Sequence, residues 1–226
     1  MSTRHSAKGE VKYYTLYERL WHWLQAMTIV VLLASGFHIS YGSQSFPGLF
    51  ATSVWIHDLA GWVLVVNAAL ALFHNLSSGL IKQYIPMMHG IFPHSVQHAS
   101  YYLFGIFQGE KHPFHKTPQQ RLLPLQQISY FFVLNLLLPI MVVTGLLQMY
   151  AGEFSGLVSL LGGLELIAPL HRFVAWLFAG FVVLHIYMTT TGTTWYANLR
   201  AMLTGYGKPE GEEPEAQEPE AQEKQL

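Results

Sequence analysis

Hydrophobic residues in this 226-residue chain are concentrated in four long runs separated by polar segments. The runs cover about residues 20–40, 54–76, 128–150 and 170–190. A helix needs about 20 apolar residues to cross the hydrocarbon core of a bilayer, and each run reaches that length. The pattern predicts an all-α integral membrane protein, a bundle of four transmembrane helices.

The composition supports a lipid bilayer as the environment. Hydrophobic residues make up 51% of the chain and charged residues only 11%, whereas about 25% is usual for soluble domains. Four buried helices of a soluble core are the alternative, but they would leave little polar surface to dissolve the protein. We expect no nucleic-acid partner.

Basic residues indicate the orientation of the bundle. They precede the first run, lie between the second and third runs, and follow the fourth, while the first connection carries no charge. The positive-inside rule therefore places both termini and the long connection between helices two and three in the cytoplasm. We expect a multi-pass protein of the bacterial cytoplasmic (inner) membrane, and the first run is too long for a cleaved signal peptide.

The polar segments divide the chain further. We expect a cytoplasmic N-terminal segment (1–19), a transmembrane domain (20–191), a juxtamembrane segment (192–207) and a disordered acidic tail (208–226). The tail holds seven glutamates and cannot bury enough apolar surface to offset its ordering entropy. A docking strip for a basic partner is the alternative for the tail. Residues 95–109 mix aromatic and uncharged polar side chains, which favours a helix lying at the membrane interface.

Two histidines on the fourth run give the strongest chemical signal. His171 and His185 are fourteen residues apart, which returns them to within about 40° of one helix face and separates them by about 21 Å. With both termini inside, His57 lies at the outer depth with His171, and His22 lies at the inner depth with His185. We call His57 and His171 the outer pair, and His22 and His185 the inner pair.

Two imidazoles at one depth on facing helices are the axial ligands of a bis-histidine haem. The chain has no cysteine, so thioether-linked haem is excluded and two haems b are predicted. Zinc is the weaker alternative, because the histidines of one helix lie too far apart to share a tetrahedral ion.

His74 competes with His22 for the inner position, but it is turned about 100° from the face of His57, and we prefer His22. His74 is otherwise a packed polar residue or a quinone contact.

Other residues are candidates for supporting the haems. Arg19 and Arg172 lie close to His22 and His171 in sequence and could pair with haem propionates, the alternative being surface or positive-inside residues. Glycines inside the runs allow a macrocycle or another helix to approach closely, and ordinary helix packing is the alternative for them. These glycines are Gly36, Gly61, Gly145 and Gly180.

Several segments resemble one family. LYERLWHWLQAM (16–27), IHDLAGWVL (56–64), HPFHKTPQQRLLPLQQ (112–127) and the fourteen-residue histidine pair resemble di-haem cytochrome b subunits of the nickel–iron hydrogenase, formate dehydrogenase and thiosulfate reductase type. The thiosulfate reductase-like branch is the most similar, over about residues 13–205. The resemblance implies the same ligand pairs and a quinone site near the inner haem, around the inner pair, His74, Lys116 and Arg121.

The resemblance also implies a function. The subunit would carry electrons between a quinone, menaquinone or ubiquinone, and a periplasmic redox subunit. That partner could be a hydrogenase, a molybdoenzyme, an iron–sulfur protein or a multihaem cytochrome, and it would convert the substrate of the complex. Two alternatives remain open: a haem-free membrane anchor or histidine-based proton relay, and a free-standing quinol oxidase of soluble acceptors. The four runs contain a single acidic residue, Asp58, so the sequence gives the proton relay little support.

Overall fold

The computed structural model of the protein describes residues 10–42, 47–85, 90–114 and 121–208. Its helices are α1 (Leu16–Tyr41), α2 (Pro47–Ser78), α3 (Ile91–Leu103), α4 (Pro124–Phe132), α5 (Leu138–Met149), α6 (Ser155–Leu160), α7 (Leu164–Thr189) and α8 (Ala197–Thr204). Among these residues, α1, α2, the α4–α5 stretch and α7 are long and apolar enough to cross a membrane. The predicted all-α bundle of four membrane helices is confirmed.

The observed helices extend beyond the apolar runs. α1 starts at Leu16 because Thr15 caps it: the Thr15 hydroxyl accepts from the backbone N–H of Glu18, and the Glu18 carboxylate accepts from that of Thr15. This capping box satisfies two of the backbone groups that a helix start leaves unpaired. Such caps are polar, so a search for apolar residues places the start of a helix too late.

α1 and α2 pack as an antiparallel pair along their length. The Asn67 amide of α2 donates to the Gln25 side chain of α1 at 2.7 Å, and Ser35 of α1 contacts His57 of α2 at 3.0 Å. Interhelical polar contacts of this kind stabilise membrane helices, because the surrounding lipid offers no hydrogen-bond partner. These two contacts fix the register between α1 and α2.

The third membrane helix contains a π-helical segment, Val133–Leu137, between α4 and α5. Pro139 lies two residues after its end. A proline inside a helix has no N–H to donate, and its ring crowds the carbonyl four residues earlier, here that of Asn135. The wider π turn accommodates this interruption without ending the helix.

α5 and α7 form the second closely packed pair. The hydrophobic core between this third membrane helix and α7 contains Val133 and Leu137 of the π-helical segment, with Val174 and Phe178 of α7. Most other large apolar side chains of the four long helices are exposed, as expected for surfaces that face lipid tails.

Both ends of the described chain meet at one end of the bundle, which we call the inner end. Val11–Lys12 pairs antiparallel with Tyr206–Gly207, and the backbone N–H of Tyr13 donates to the carbonyl of Gly205. The acidic tail lies outside the described residues, apart from Lys208. The long connection between α2 and α4 returns at this same end.

The segment expected to lie at the membrane interface is helical over α3. Its buried residues are Ile91, Ser95, His98 and Tyr102, the last three of which carry a polar group, while Phe92 and Val96 are exposed. An apolar face turned outward and a polar face turned toward the protein suit a helix lying at the lipid boundary.

Candidate functional site

The structure brings the outer pair together near the end of the bundle opposite the termini. The ring centres of His57 on α2 and His171 on α7 are 6.3 Å apart, with an angle of 73° between the ring planes. Both rings line one cavity of about 620 Å³, a volume within the range of cofactor sites. The cavity walls come from all four membrane helices.

The inner pair has the same spacing. The ring centres of His22 on α1 and His185 on α7 are 6.2 Å apart, with an angle of 49° between the planes. The Phe181 ring stacks on His185 at 5.9 Å, and the Trp23 ring meets His22 edge-on at 5.3 Å. Fourteen residues of α7 separate the two sites, about 21 Å at 1.5 Å per residue.

The spacing within each pair fits one iron between two rings. An imidazole nitrogen lies about 2 Å from a metal that it binds and about 1 Å from its own ring centre, so two axial rings have centres about 6 Å apart. A different histidine pair in this chain provides a comparison. Nε2 of His98 and Nε2 of His112 are in direct hydrogen-bond contact at 3.2 Å, and those ring centres are only 4.9 Å apart. The inner and outer pairs are too wide for such a bond.

Among the described residues, no group of three or more histidine, aspartate or glutamate side chains is placed to hold one metal ion. A tetrahedral zinc site needs four protein ligands, or three ligands and a water. The two pairs therefore suit a metal that brings its own equatorial ligands. A porphyrin does so.

Hydroxyl groups contact the outer pair from the neighbouring helices. Ser35 Oγ lies 3.0 Å from Nδ1 of His57, and Thr144 Oγ1 lies 2.8 Å from Nδ1 of His171. In the inner pair, the Tyr130 hydroxyl lies 3.4 Å from Nδ1 of His185. Sequence reasoning missed these three residues, although Tyr130 and Thr144 repeat the fourteen-residue interval of His171 and His185.

The four candidate glycines fall into two classes. A Cβ added to Gly36 would lie 3.0 Å from Cε1 of His57, and one added to Gly145 would lie 3.3 Å from Cε1 of His171. Gly61 and Gly180 have no atom within 4 Å of the corresponding position. Gly61 nevertheless lines the outer cavity, whereas Gly180 is an open position on α7.

His74 lies away from the inner pair. Its ring packs against Tyr17 with centres 4.1 Å apart, and Tyr17 precedes His22 by more than one helical turn on α1. The antiparallel register that joins Ser35 to His57 and Gln25 to Asn67 places Leu70 of α2 opposite His22. His74 is therefore one turn closer to the inner end than the inner pair.

The candidate cations occupy different surroundings. Arg172 lines the outer cavity and is exposed. Arg19 donates to the backbone carbonyl of Leu203, which ties α1 to α8. Arg121 forms an ion pair with Glu18 at 2.8 Å and donates to the carbonyl of Tyr13, so it joins the connection before α4 to the start of α1. Lys116 lies outside the described residues.

A second polar cluster lies beneath α3. The buried His98 ring contacts His112, and the Tyr102 hydroxyl lies 3.3 Å from Nε2 of His112. Tyr187 on α7 donates to the Tyr102 carbonyl at 2.9 Å, which holds α3 against the inner end of the bundle. Outside this cluster, burial raises the pKa of the Tyr84 phenol, whose ring meets that of Tyr130 edge-on with centres 6.4 Å apart.

Comparisons with known proteins agree with this architecture. The family model of prokaryotic cytochrome b561 matches residues 13–205. A protein of Escherichia coli (strain K12) named as cytochrome YdhU is 32% identical over 199 residues, 88% of this chain and 75% of that protein. No solved structure matches the chain significantly.

Two further relatives are named as subunits of redox complexes. A Ni/Fe-hydrogenase B-type cytochrome subunit of Rhizobium leguminosarum bv. viciae is 29% identical over 189 residues, 75% of this chain and 76% of that protein. A protein-methionine-sulfoxide reductase subunit, YedZ1, of Azospira oryzae is 27% identical over 180 residues, 75% of this chain and 86% of that protein. The chain therefore belongs to the prokaryotic cytochrome b561 family and is a haem b-binding membrane cytochrome of electron transfer.

Proposed function

We propose that the protein carries electrons between a quinone at the inner end of the bundle and a redox partner subunit at the outer end, through two bis-histidine haems b. One observation carries this proposal: two histidine pairs share helix α7, lie about 21 Å apart along it, and have ring centres 6.2 and 6.3 Å apart. Each haem supplies reversible one-electron chemistry at its iron. The protein supplies ligands, a medium of low polarity and a fixed separation.

The outer site fits a haem in shape as well as in its ligands. The His57 and His171 rings line the same cavity. The cavity also reaches Gly61, which has no side chain to occupy the space. Gly36 and Gly145 let the two helices α1 and α5 approach the imidazoles closely. Arg172 at the cavity edge is the propionate partner that we propose for this haem.

The inner end is where we place the quinone. Reduction of a quinone takes up protons and oxidation of a quinol releases them, and the positive-inside rule puts this end in the cytoplasm, with which protons can be exchanged. Of the residues that the resemblance suggested, His74 packs against Tyr17 one turn beyond the inner pair and stays a candidate contact. Arg121 is already paired with Glu18, which supports a role in closing the inner end rather than in binding a headgroup. Arg19 remains the propionate candidate of the inner haem.

The partner subunit should dock at the outer end. Two relatives are named as subunits of a hydrogenase and of a methionine-sulfoxide reductase, which supports a redox partner for this chain also. Exposed apolar side chains of the outer connection and the start of α7, Leu157, Leu160 and Leu164 among them, offer an apolar docking surface. Substrate conversion is then the task of the partner.

A proton relay fits the geometry less well than electron transfer does. Histidines that pass a proton directly need their nitrogens within about 3 Å of each other. The His98–His112 pair comes close to this condition at 3.2 Å, whereas the inner and outer pairs hold their ring centres more than 6 Å apart.

Alanine substitutions test the ligand assignment. His57→Ala and His171→Ala should each remove one b-type haem, and His22→Ala and His185→Ala should each remove the other, as measured by the reduced-minus-oxidised α band and its redox titration. His74→Ala is the matched control and should retain both haems. If His74→Ala loses a haem while His22→Ala keeps two, the inner ligand is misassigned. If none of the four variants loses haem, the proposal is wrong.

A further inference from the structure

Each histidine of the outer pair shares a hydrogen bond with a hydroxyl of the helix packed against it. Ser35 on α1 contacts Nδ1 of His57 at 3.0 Å, and Thr144 on α5 contacts Nδ1 of His171 at 2.8 Å. Both hydroxyl residues are buried, at 7% and 5% exposure. Thus α1 and α5 make equivalent contacts, each placing a hydroxyl against Nδ1 of one outer histidine.

The direction of these two hydrogen bonds can be deduced from their other partners. Ser35 Oγ donates to the carbonyl of Val31 at 2.7 Å, and Thr144 Oγ1 donates to the carbonyl of Ile140 at 2.6 Å. A hydroxyl has one proton and two lone pairs. Because each proton points to the carbonyl one turn earlier, each hydroxyl accepts from the histidine, and Nδ1 of the ring carries the hydrogen.

A neutral imidazole with its proton on Nδ1 presents an unprotonated Nε2. In both His57 and His171, Nε2 therefore keeps the lone pair that can bind a metal. The residue after each hydroxyl is a glycine, Gly36 and Gly145, and a Cβ there would lie 3.0 or 3.3 Å from the ring. A hydroxyl residue followed by glycine thus forms a cradle for one imidazole, and α1 and α5 each contain one.

The inner pair is held differently. Nδ1 of His22 is buried and has no hydrogen-bond partner within the described part of the chain. Nδ1 of His185 lies 3.4 Å from the Tyr130 hydroxyl, longer than either outer contact. In the outer pair, by contrast, each Nδ1 lies within 3.0 Å of a buried hydroxyl, although the ring spacings of the two pairs are nearly equal.

We propose that Ser35 and Thr144 are positioning residues that set the tautomer and the ring plane of the outer ligands, and thereby make the two imidazoles of the outer haem stronger donors to its iron. The inference rests on the proposed function. An acceptor at Nδ1–H raises the basicity of the imidazole and strengthens its bond to the metal. Ferric iron benefits more than ferrous iron, so these two hydroxyls lower the reduction potential of the outer haem.

Three variants test the proposal on the purified protein, with redox titration of the α band and the ferric electron paramagnetic resonance spectrum as readouts. Ser35→Ala and Thr144→Val remove one hydroxyl each with little change in volume, and Thr144→Ser restores it. Thr28→Ala is the matched control, because Thr28 is equally buried and bonds the carbonyl of Leu24 without touching a histidine.

We expect Ser35→Ala and Thr144→Val to raise the potential of one haem component and to shift its ferric g values, while the other component is unchanged. Thr144→Ser and Thr28→Ala should behave as the wild type. Selective loss of one haem in the two variants, with Thr28→Ala intact, supports the same role. Wild-type titration and spectra in both variants would overturn the inference and leave the two-haem proposal standing. A wild-type protein without two haems would overturn both.

Discussion

Gly36→Ala is the smallest change that should disturb the outer haem. The added methyl carbon would lie 3.0 Å from Cε1 of His57, whereas two carbon atoms are in favourable contact at about 3.5–4.0 Å. The His57 ring must therefore move by about 0.5–1 Å. Ligand distances at metal sites tolerate about 0.2 Å, so the displacement exceeds what a bond from iron to Nε2 accepts.

The energetic cost follows from the same geometry. Forcing an additional methyl group into a packed site costs about 1–3 kcal/mol, and here the nearest atom belongs to a ring that also bonds Ser35. We expect weaker retention of one haem, measured as haem released on dilution in detergent or on heating, together with an altered ferric spectrum of that haem. The other haem should be unaffected.

Two further glycine variants make the prediction quantitative. Gly145→Ala should have a smaller effect of the same kind, since its added carbon would lie 3.3 Å from His171, and Gly180→Ala should have none, since nothing lies within 4 Å. The reasoning is refuted if Gly36→Ala binds and titrates both haems as the wild type does, or if Gly180→Ala loses haem to the same extent.

Three other outcomes are expected. Asn67→Ala should lower the stability of the bundle in detergent by about 0.6–2 kcal/mol, since it removes the interhelical bond to Gln25; unchanged thermal unfolding would contradict this. Arg121→Gln should destabilise the protein by about 1–3 kcal/mol, because it leaves the Glu18 carboxylate without its ion pair, and the loss should be smaller in a Glu18→Gln background, where only the bond to the Tyr13 carbonyl is at stake. A quinone-site inhibitor should shift the spectrum of the haem that His22→Ala removes; a shift confined to the other haem would place the quinone at the outer end.

The four histidines could be paired from the sequence because the signals that pair them are local. An apolar run fixes the depth of each residue in the bilayer, and helix geometry fixes the face of His171 and His185. These two quantities placed His57 opposite His171 and His22 opposite His185, and the ring distances in the structure agree with both pairings. The preference for His22 over His74 came from helix geometry, since His74 is turned about 100° from the face of His57; the structure adds that His74 lies one turn closer to the inner end.

The supporting residues could not be identified in the same way. A serine or threonine within an apolar helix usually bonds the carbonyl one turn earlier, so Ser35 and Thr144 look ordinary until the neighbouring helix is in place. The ion pair between Glu18 and Arg121 joins residues more than a hundred positions apart, and no periodicity relates them. Only the interval from Tyr130 to Thr144, which equals that between the histidines of α7, could be recognised from the sequence alone.

The central claim is that this chain holds two non-covalent haems b, one in each histidine pair. A pyridine haemochrome assay on the purified protein, with protein measured by amino-acid analysis, tests it most directly. The account predicts two haems b per chain, all extractable with acid–acetone because there is no cysteine to bind them covalently. One haem per chain, or none, would contradict it.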